Sequence, residues 1–293
     1  MKKGKRDRLG HSTFRLGNSE RITILFEDRD YLVIDKPPGW LVTSPKWSRT
    51  RRNLQRELEN ALQRRASWIR ERNIRYLRFV HRLDRDTSGL LVLAKHPRAL
   101  QQLSRLFEQQ RVRKLYLCHV EGSPSIDAWI SSAPIAGVPG REDRVMVDPR
   151  GQPAITVFYR LAQAKTHALI LAAPQTGRTH QIRIHLKAAE HPIVGDPLYG
   201  ASHRELPLKQ SKRPPEPFRP RMGLRAWALC FRHPWSKASI EIEAGLPAFM
   251  SHFPQPDPPL SLTGALQVIE TVTHSKQTLH TRSGRLSKRQ APC

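Results

Sequence analysis

The stretch that most constrains this chain covers residues 79–95, Phe-Val-His-Arg-Leu-Asp-Arg-Asp-Thr-Ser-Gly-Leu-Leu-Val-Leu-Ala-Lys. A cluster of ionisable residues (His81, Arg82, Asp84, Arg85 and Asp86) runs through Thr87, Ser88 and Gly89 into Leu90-Leu91-Val92-Leu93. An apolar run that short, bounded by a turn signal, reads as a buried strand. The polar cluster therefore sits on a loop at the mouth of a core strand, which is a rigid way to present reactive groups. Asp84 is the residue in it that needs a reason.

The charge balance narrows the partner. Fifty Lys and Arg stand against 25 Asp and Glu, a net charge of +25 with a pI near 11.0. That surplus exceeds what solubility needs and points to a polyanion. No apolar run approaches bilayer length, so the polyanion is nucleic acid rather than lipid. The three cysteines (Cys118, Cys230 and Cys293) are far apart and suit neither a disulfide framework nor a zinc spacing, which implies a reducing, cytoplasmic compartment. The basic start leads into no apolar core and is not a secretory signal.

Along the chain, residues 1–21 carry seven Lys/Arg and two Asp/Glu without a hydrophobic period, the pattern of a flexible basic arm. Two short apolar runs, 22–26 and 31–34, predict adjacent strands, closed by the turn Asp35-Lys36-Pro37-Pro38-Gly39. Residues 46–78 hold eleven Lys/Arg and three Asp/Glu, and Leu54, Leu58 and Leu62 give this segment one apolar helical stripe. Its arginines are either a solvated face or phosphate contacts. Pro97 opens a helix with Leu100, Leu103 and Phe107 inward, and residues 114–120, 155–159 and 168–172 read as strands. The second polar cluster, 174–181, opens a helix bearing Ile182, Leu186 and Ala189 on one face. A basic Pro-rich loop at 203–221 and strands at 225–231 and 239–243 follow. The domain expected over 22–253 is α+β, built on a mixed, largely antiparallel sheet. Residues 254–293, rich in Pro, Ser, Thr and basic residues, read as a mostly disordered tail.

Residue types limit the chemistry. There is no phosphate-binding P-loop and no dinucleotide glycine fingerprint. His81, Asp84, His180, His185 and His191 lie in the polar stretches, but two histidines five residues apart diverge by about 140° on a helix. No strand-turn-helix nucleophile elbow surrounds Ser88 or any cysteine. What remains is Asp84 among arginines. A carboxylate is ionised at neutral pH; burial raises its pKa, while a neighbouring guanidinium lowers it and fixes its direction. Such a group can be a nucleophile or a base, or simply a loop cap paired with arginine.

The motif His81-Arg82-Leu83-Asp84-Arg85-Asp86-Thr87-Ser88-Gly89 resembles the signature of the RluA-type RNA pseudouridine synthases. So, in the same order, do Asp35-Lys36-Pro37-Pro38-Gly39, Lys114-Leu115-Tyr116, the run 176–186 beginning Thr176-Gly177-Arg178-Thr179-His180-Gln181, and Gly195-Asp196-Pro197-Leu198-Tyr199-Gly200. The resemblance spans residues 22–246. It implies a pseudouridine synthase-like fold and a cofactor-free, metal-free isomerase. Such an enzyme cuts the N1–C1′ bond of a flipped-out uridine, turns the base and rejoins it through C5. Asp84 matches the catalytic aspartate, whether it attacks the base, attacks the sugar or removes a sugar proton.

By the same resemblance, Tyr116 matches the aromatic that stacks on the target base, and Arg183 the arginine that pairs with the aspartate. Leu186 packs near the base, with Thr179 and His180 beside it in the second motif as substrate-binding candidates. Arg82 corresponds to the arginine that takes the flipped nucleotide's place, since a paired uracil must leave its stack before chemistry. The chain departs from the pattern at Val42-Thr43-Ser44-Pro45, where a Val-His-Pro-like turn is usual. It also leaves no room for the small N-terminal RNA-binding domain of many ribosomal members, so tRNA and rRNA both stand as partners. The family implies a monomer.

Overall fold

The computed structural model of the protein describes residues 12–16, 20–43, 50, 52–200, 221–256 and 259–286. The first eleven residues, the turn at Ser44 and Pro45, nearly all of the 203–221 loop and the last seven residues lie outside that set. In chain order the strands are β1 (Ser12–Leu16), β2 (Glu20–Glu27), β3 (Tyr31–Lys36), β4 (Arg78–Phe79), β5 (Ser88–Ala94) and β6 (Arg113–Glu121). They continue as β7 (Ala128–Ser131), β8 (Ile135–Val138), β9 (Arg141–Val147), β10 (Thr156–Gln163), β11 (His167–Pro174), β12 (Leu224–Arg232) and β13 (Ser239–Glu243). The helices are α1 (Leu54–Gln63), α2 (Ser67–Glu71), α3 (Pro97–Glu108), α4 (Gln181–Ala188) and α5 (Leu262–Leu286). Strands outnumber helices and pair mostly antiparallel, which is the α+β class.

The chain divides into two compact units. The first comprises Met1–Leu117 and Ile193–Ala248. Its strand order is β1-β2-β3-β5-β12, with β13 antiparallel to β12 and β4 to β5. Among the pairs just named, β5 and β12 run parallel, through Ser88–Arg225 and Gly89–Ala226. β5 is buried from Gly89 to Ala94 because both its faces are covered, hence its unbroken apolar run. On one face Leu91 and Leu93 join Leu54 and Leu58 of α1; on the other Leu90 and Val92 meet Ala99 and Leu103 of α3. α1 is capped by Asn53, whose side chain accepts from the Arg56 amide, and α3 by His96, which accepts from Ala99 N–H with Pro97 in the first turn.

The second unit comprises Cys118–Pro192 and Phe249–Cys293. β11, β10 and β7 form an antiparallel set, and β8–β9 make a separate hairpin. α4 packs against β9, β10 and β11, and α5 against β10 and β7. β6 starts in the first unit and ends in the second.

Two expectations about the chain ends are corrected. Part of the predicted basic arm is a strand: β1 pairs with β2 in register from Ser12–Ile24 to Leu16–Glu20. Phe14 anchors it by stacking on Trp68, ring centroids 4.1 Å apart, a distant contact invisible to local pattern. Part of the predicted disordered tail is helix α5, whose Leu262, Ala265 and Leu266 are buried at the i, i+3, i+4 spacing of a helical stripe.

Candidate active site

In the first unit the polar loop before β5 is held from three sides. Gly89 has φ +111°, and a Cβ there would lie 2.0 Å from the carbonyl oxygen of Ala226, so only glycine lets β5 meet β12. Leu83 is buried in the cluster of Leu32, Ile34 and Leu91, and anchors the loop one residue before Asp84. Thr87 N–H donates to the Asp84 carbonyl at 3.2 Å, closing a turn around Arg85 and Asp86.

The third support is Lys36, at the end of β3 and fully buried. Its ammonium donates to the carbonyls of Pro37 (3.0 Å), Arg85 (2.8 Å) and Thr87 (2.7 Å). Three carbonyl acceptors use all three of its protons. Burial pulls its pKa down to about 7, opposed by the negative charges of Asp86, Asp84 and Glu20. The Arg85 carbonyl also accepts from Gly39 N–H at 2.9 Å, tying the Pro-Pro-Gly turn to the same loop. Behind it, Arg225 forks onto Asp35 (3.1 and 2.8 Å) and reaches the Gly245 carbonyl at 2.7 Å.

The residues flanking Asp84 are also fixed. His81 Nε2 accepts from Val92 N–H at 3.1 Å, and its ring stacks on Phe107 at 4.4 Å. Burial, with Lys114 nearby, holds this imidazole neutral by lowering its pKa to about 3. Arg82 is exposed and Asp84 half-buried. Tyr116 on β6 is half-buried against the same apolar cluster that holds Leu83.

In the second unit α4 is organised by Gln181. Its Oε1 accepts from the Thr176 hydroxyl (2.7 Å) and Arg178 N–H (3.0 Å); its Nε2 donates to the Ile155 carbonyl and Thr156 Oγ1, both at 2.9 Å. These four bonds tie α4 to the β11–α4 turn and to the start of β10. His185 Nε2 donates to the Ala133 carbonyl at 3.0 Å, which leaves Nδ1 to accept from Thr156 at 3.0 Å. Burial lowers its pKa and keeps it neutral. His180, the residue before α4, has a left-handed φ of 52° that turns the chain into the helix. Arg183 and Leu186 are buried, whereas Thr179 is exposed.

The candidate residues thus fall into two sets. Asp84, Arg82 and Tyr116 belong to the first unit, and Thr179, His180, Arg183 and Leu186 to the second. Three of the histidines weighed as metal ligands have other duties: His81 and His185 are bonded as above, and His191 Nδ1 donates to the Glu121 carbonyl at 3.2 Å. Two supports escaped the sequence reading. The motif containing Lys36 was legible, but not that its ammonium holds the Asp84 loop; Arg225, 190 residues from Asp35, carried no signal at all.

A pinned loop carrying Asp84 and Asp86, in a chain of net charge +25, is the site the first unit presents. The family model described as RNA pseudouridylate synthase matches residues 30–188. The chain belongs to this family, the RluA-type RNA pseudouridine synthases, isomerases that convert uridine to pseudouridine in RNA. It is 35% identical over 257 residues to a ribosomal large subunit pseudouridine synthase D of Nitrosomonas europaea, covering 87% of this chain and 67% of that one. An uncharacterized RNA pseudouridine synthase of Zymomonas mobilis is 38% identical over 185 residues, 62% of this chain and 80% of that one. Among solved structures, human RNA pseudouridylate synthase domain containing 1 superposes with a TM-score of 0.63 at 28% identity, covering 88% of this chain and 98% of that one.

Proposed function

We propose that this chain isomerises specific uridines of large-subunit ribosomal RNA, with Asp84 as the reacting carboxylate. The observation that carries the reading is the loop geometry. Lys36 grips the carbonyls of Arg85 and Thr87, so the backbone bearing Asp84 cannot drift when a nucleotide arrives. The ribosomal assignment rests on the name of the Nitrosomonas relative, which matches most of this chain.

In this reading Tyr116 supplies a flat face for the extruded uracil, and Arg82, exposed beside Asp84, fills the gap left in the RNA. By the family resemblance Arg183 is the arginine assigned to the aspartate, and Leu186, Thr179 and His180 are the substrate-binding candidates of the second motif. The N1–C1′ bond breaks, the base turns, and a C5–C1′ bond forms. C5 gives up its proton and N1 gains one, so product and substrate have the same formula. The chain acts as a monomer in a reducing cytoplasm, a setting that suits its free, buried Cys118 and Cys230.

Mapping pseudouridine in total RNA from cells with and without the gene tests this. The expected result is the loss of one or a few sites in large-subunit rRNA. Loss confined to tRNA would overturn the ribosomal assignment, and no loss anywhere would overturn the activity.

A further inference from the structure

Among the described residues, one group of side chains converges as a metal site would, and it lies away from Asp84. Asp28, Asp30 and His233 bring three donor atoms within 4.8 Å of one another. His233 Nε2 lies 3.2 Å from Asp28 Oδ2 and 4.0 Å from Asp30 Oδ2. Ligands 2.0–2.2 Å from one tetrahedral ion stand about 3.4 Å apart, and both His233 separations, 3.2 and 4.0 Å, lie close to that spacing.

The remaining heteroatom of each ligand is already held from behind. Asp28 Oδ1 accepts from the Asp30 and Tyr31 amides at 2.7 and 2.8 Å. Asp30 Oδ1 accepts from His96 Nε2 at 2.9 Å, a direction fixed because His96 Nδ1 accepts from Ala99 N–H. His233 Nδ1 accepts from Ser236 N–H at 3.2 Å and lies 2.9 Å from the Ser236 hydroxyl; ion binding at Nε2 moves the ring proton to Nδ1, where the hydroxyl accepts it in place of the amide contact. Asp28 Oδ2, Asp30 Oδ2 and His233 Nε2 are thereby left facing one another.

An independent observation points the same way. Tyr31 is fully buried, and its hydroxyl has no hydrogen-bond partner among the described residues. The carboxylates of Asp28 and Asp30 both act on this phenol, and its ring lies 5.9 Å from that of His233. An orphaned buried hydroxyl beside two carboxylates is costly unless something joins it. Trp235 walls the cluster, 5.5 Å from His233 and 6.2 Å from His96. The nearby cation does not neutralise it: Lys95 Nζ is bound to Glu27 and to the Asp28 backbone carbonyl.

We propose that Asp28, Asp30 and His233 form a binding site for one divalent transition ion of the zinc class, a clamp between the β2–β3 turn and the end of β12. Two carboxylates and an imidazole are a donor set that zinc accepts. The site lies at the start of β3 and Lys36 at its end, about 17 Å away along six residues, so the ion serves structure and not turnover.

The test uses the untagged full-length chain, stripped with EDTA, dialysed and titrated with zinc chloride. Calorimetry should find one saturable equivalent that also raises the melting temperature. Asp30→Asn and His233→Gln should each weaken it at least about tenfold. Cobalt(II), which needs no variant, should give a visible d–d band that zinc displaces. No saturable equivalent, undiminished binding by the double variant, or no displaceable cobalt band would each overturn the proposal.

Discussion

Lys36 has three protons and three carbonyl oxygens to give them to, and burial pulls its pKa to about 7. Losing one proton leaves a carbonyl of the loop unpaired, so turnover should fall as pH rises through the neutral range. Stability should move the other way. The folded pKa lies below the ordinary lysine value of 10.5, so between about pH 7 and 10.5 the unfolded chain holds the extra proton and Lys36's contribution to folding rises with pH. A pH–rate profile beside a pH–melting profile checks both, and parallel curves would count against Lys36 as the titrating group. Lys36→Met strands buried carbonyls at ~1–3 kcal/mol each. It should lower kcat and remove the alkaline limb that Lys36 causes, while RNA affinity changes little.

At the scale of elements, Gly89→Ala is the substitution the fold tolerates least. Its Cβ would meet the Ala226 carbonyl at 2.0 Å, at a φ that L-residues avoid, so β5 and β12 must separate. The expected outcome is loss of the soluble fold rather than a loss confined to catalysis, read by circular dichroism and melting. Gln181→Ala removes four hydrogen bonds at the start of α4. It should destabilise by roughly 2–4 kcal/mol in denaturant titration. Much of this architecture was legible. The Leu54, Leu58, Leu62 stripe became α1, Pro97 opened α3, and the run 90–93 became the buried centre of the first unit. β1 and α5 were not, because each is held by contacts with chain distant in sequence. Phe14 needs Trp68, and the Thr-rich α5 has weak intrinsic propensity, relying on Leu262, Ala265 and Leu266 against β10 and β7.

At the scale of the whole molecule, the +25 charge should make RNA binding steeply salt-dependent, with log affinity falling linearly as log salt rises. Affinity that stays flat across a salt series would show that the arginine surplus does not hold RNA. The candidate residues were legible because their motifs are short and local, each read within a dozen residues of chain. The Arg225–Asp35 fork and the reach of Lys36 to Thr87 join residues far apart in sequence, so only folding makes them visible. The central claim is that Asp84 does the chemistry while the basic surface does the holding, and one variant separates them. Turnover and RNA binding should be measured together for full-length Asp84→Asn. Pseudouridine formation should vanish, with RNA affinity within about tenfold (~1.4 kcal/mol) of the parent chain. Pseudouridine still formed by that variant would contradict the account.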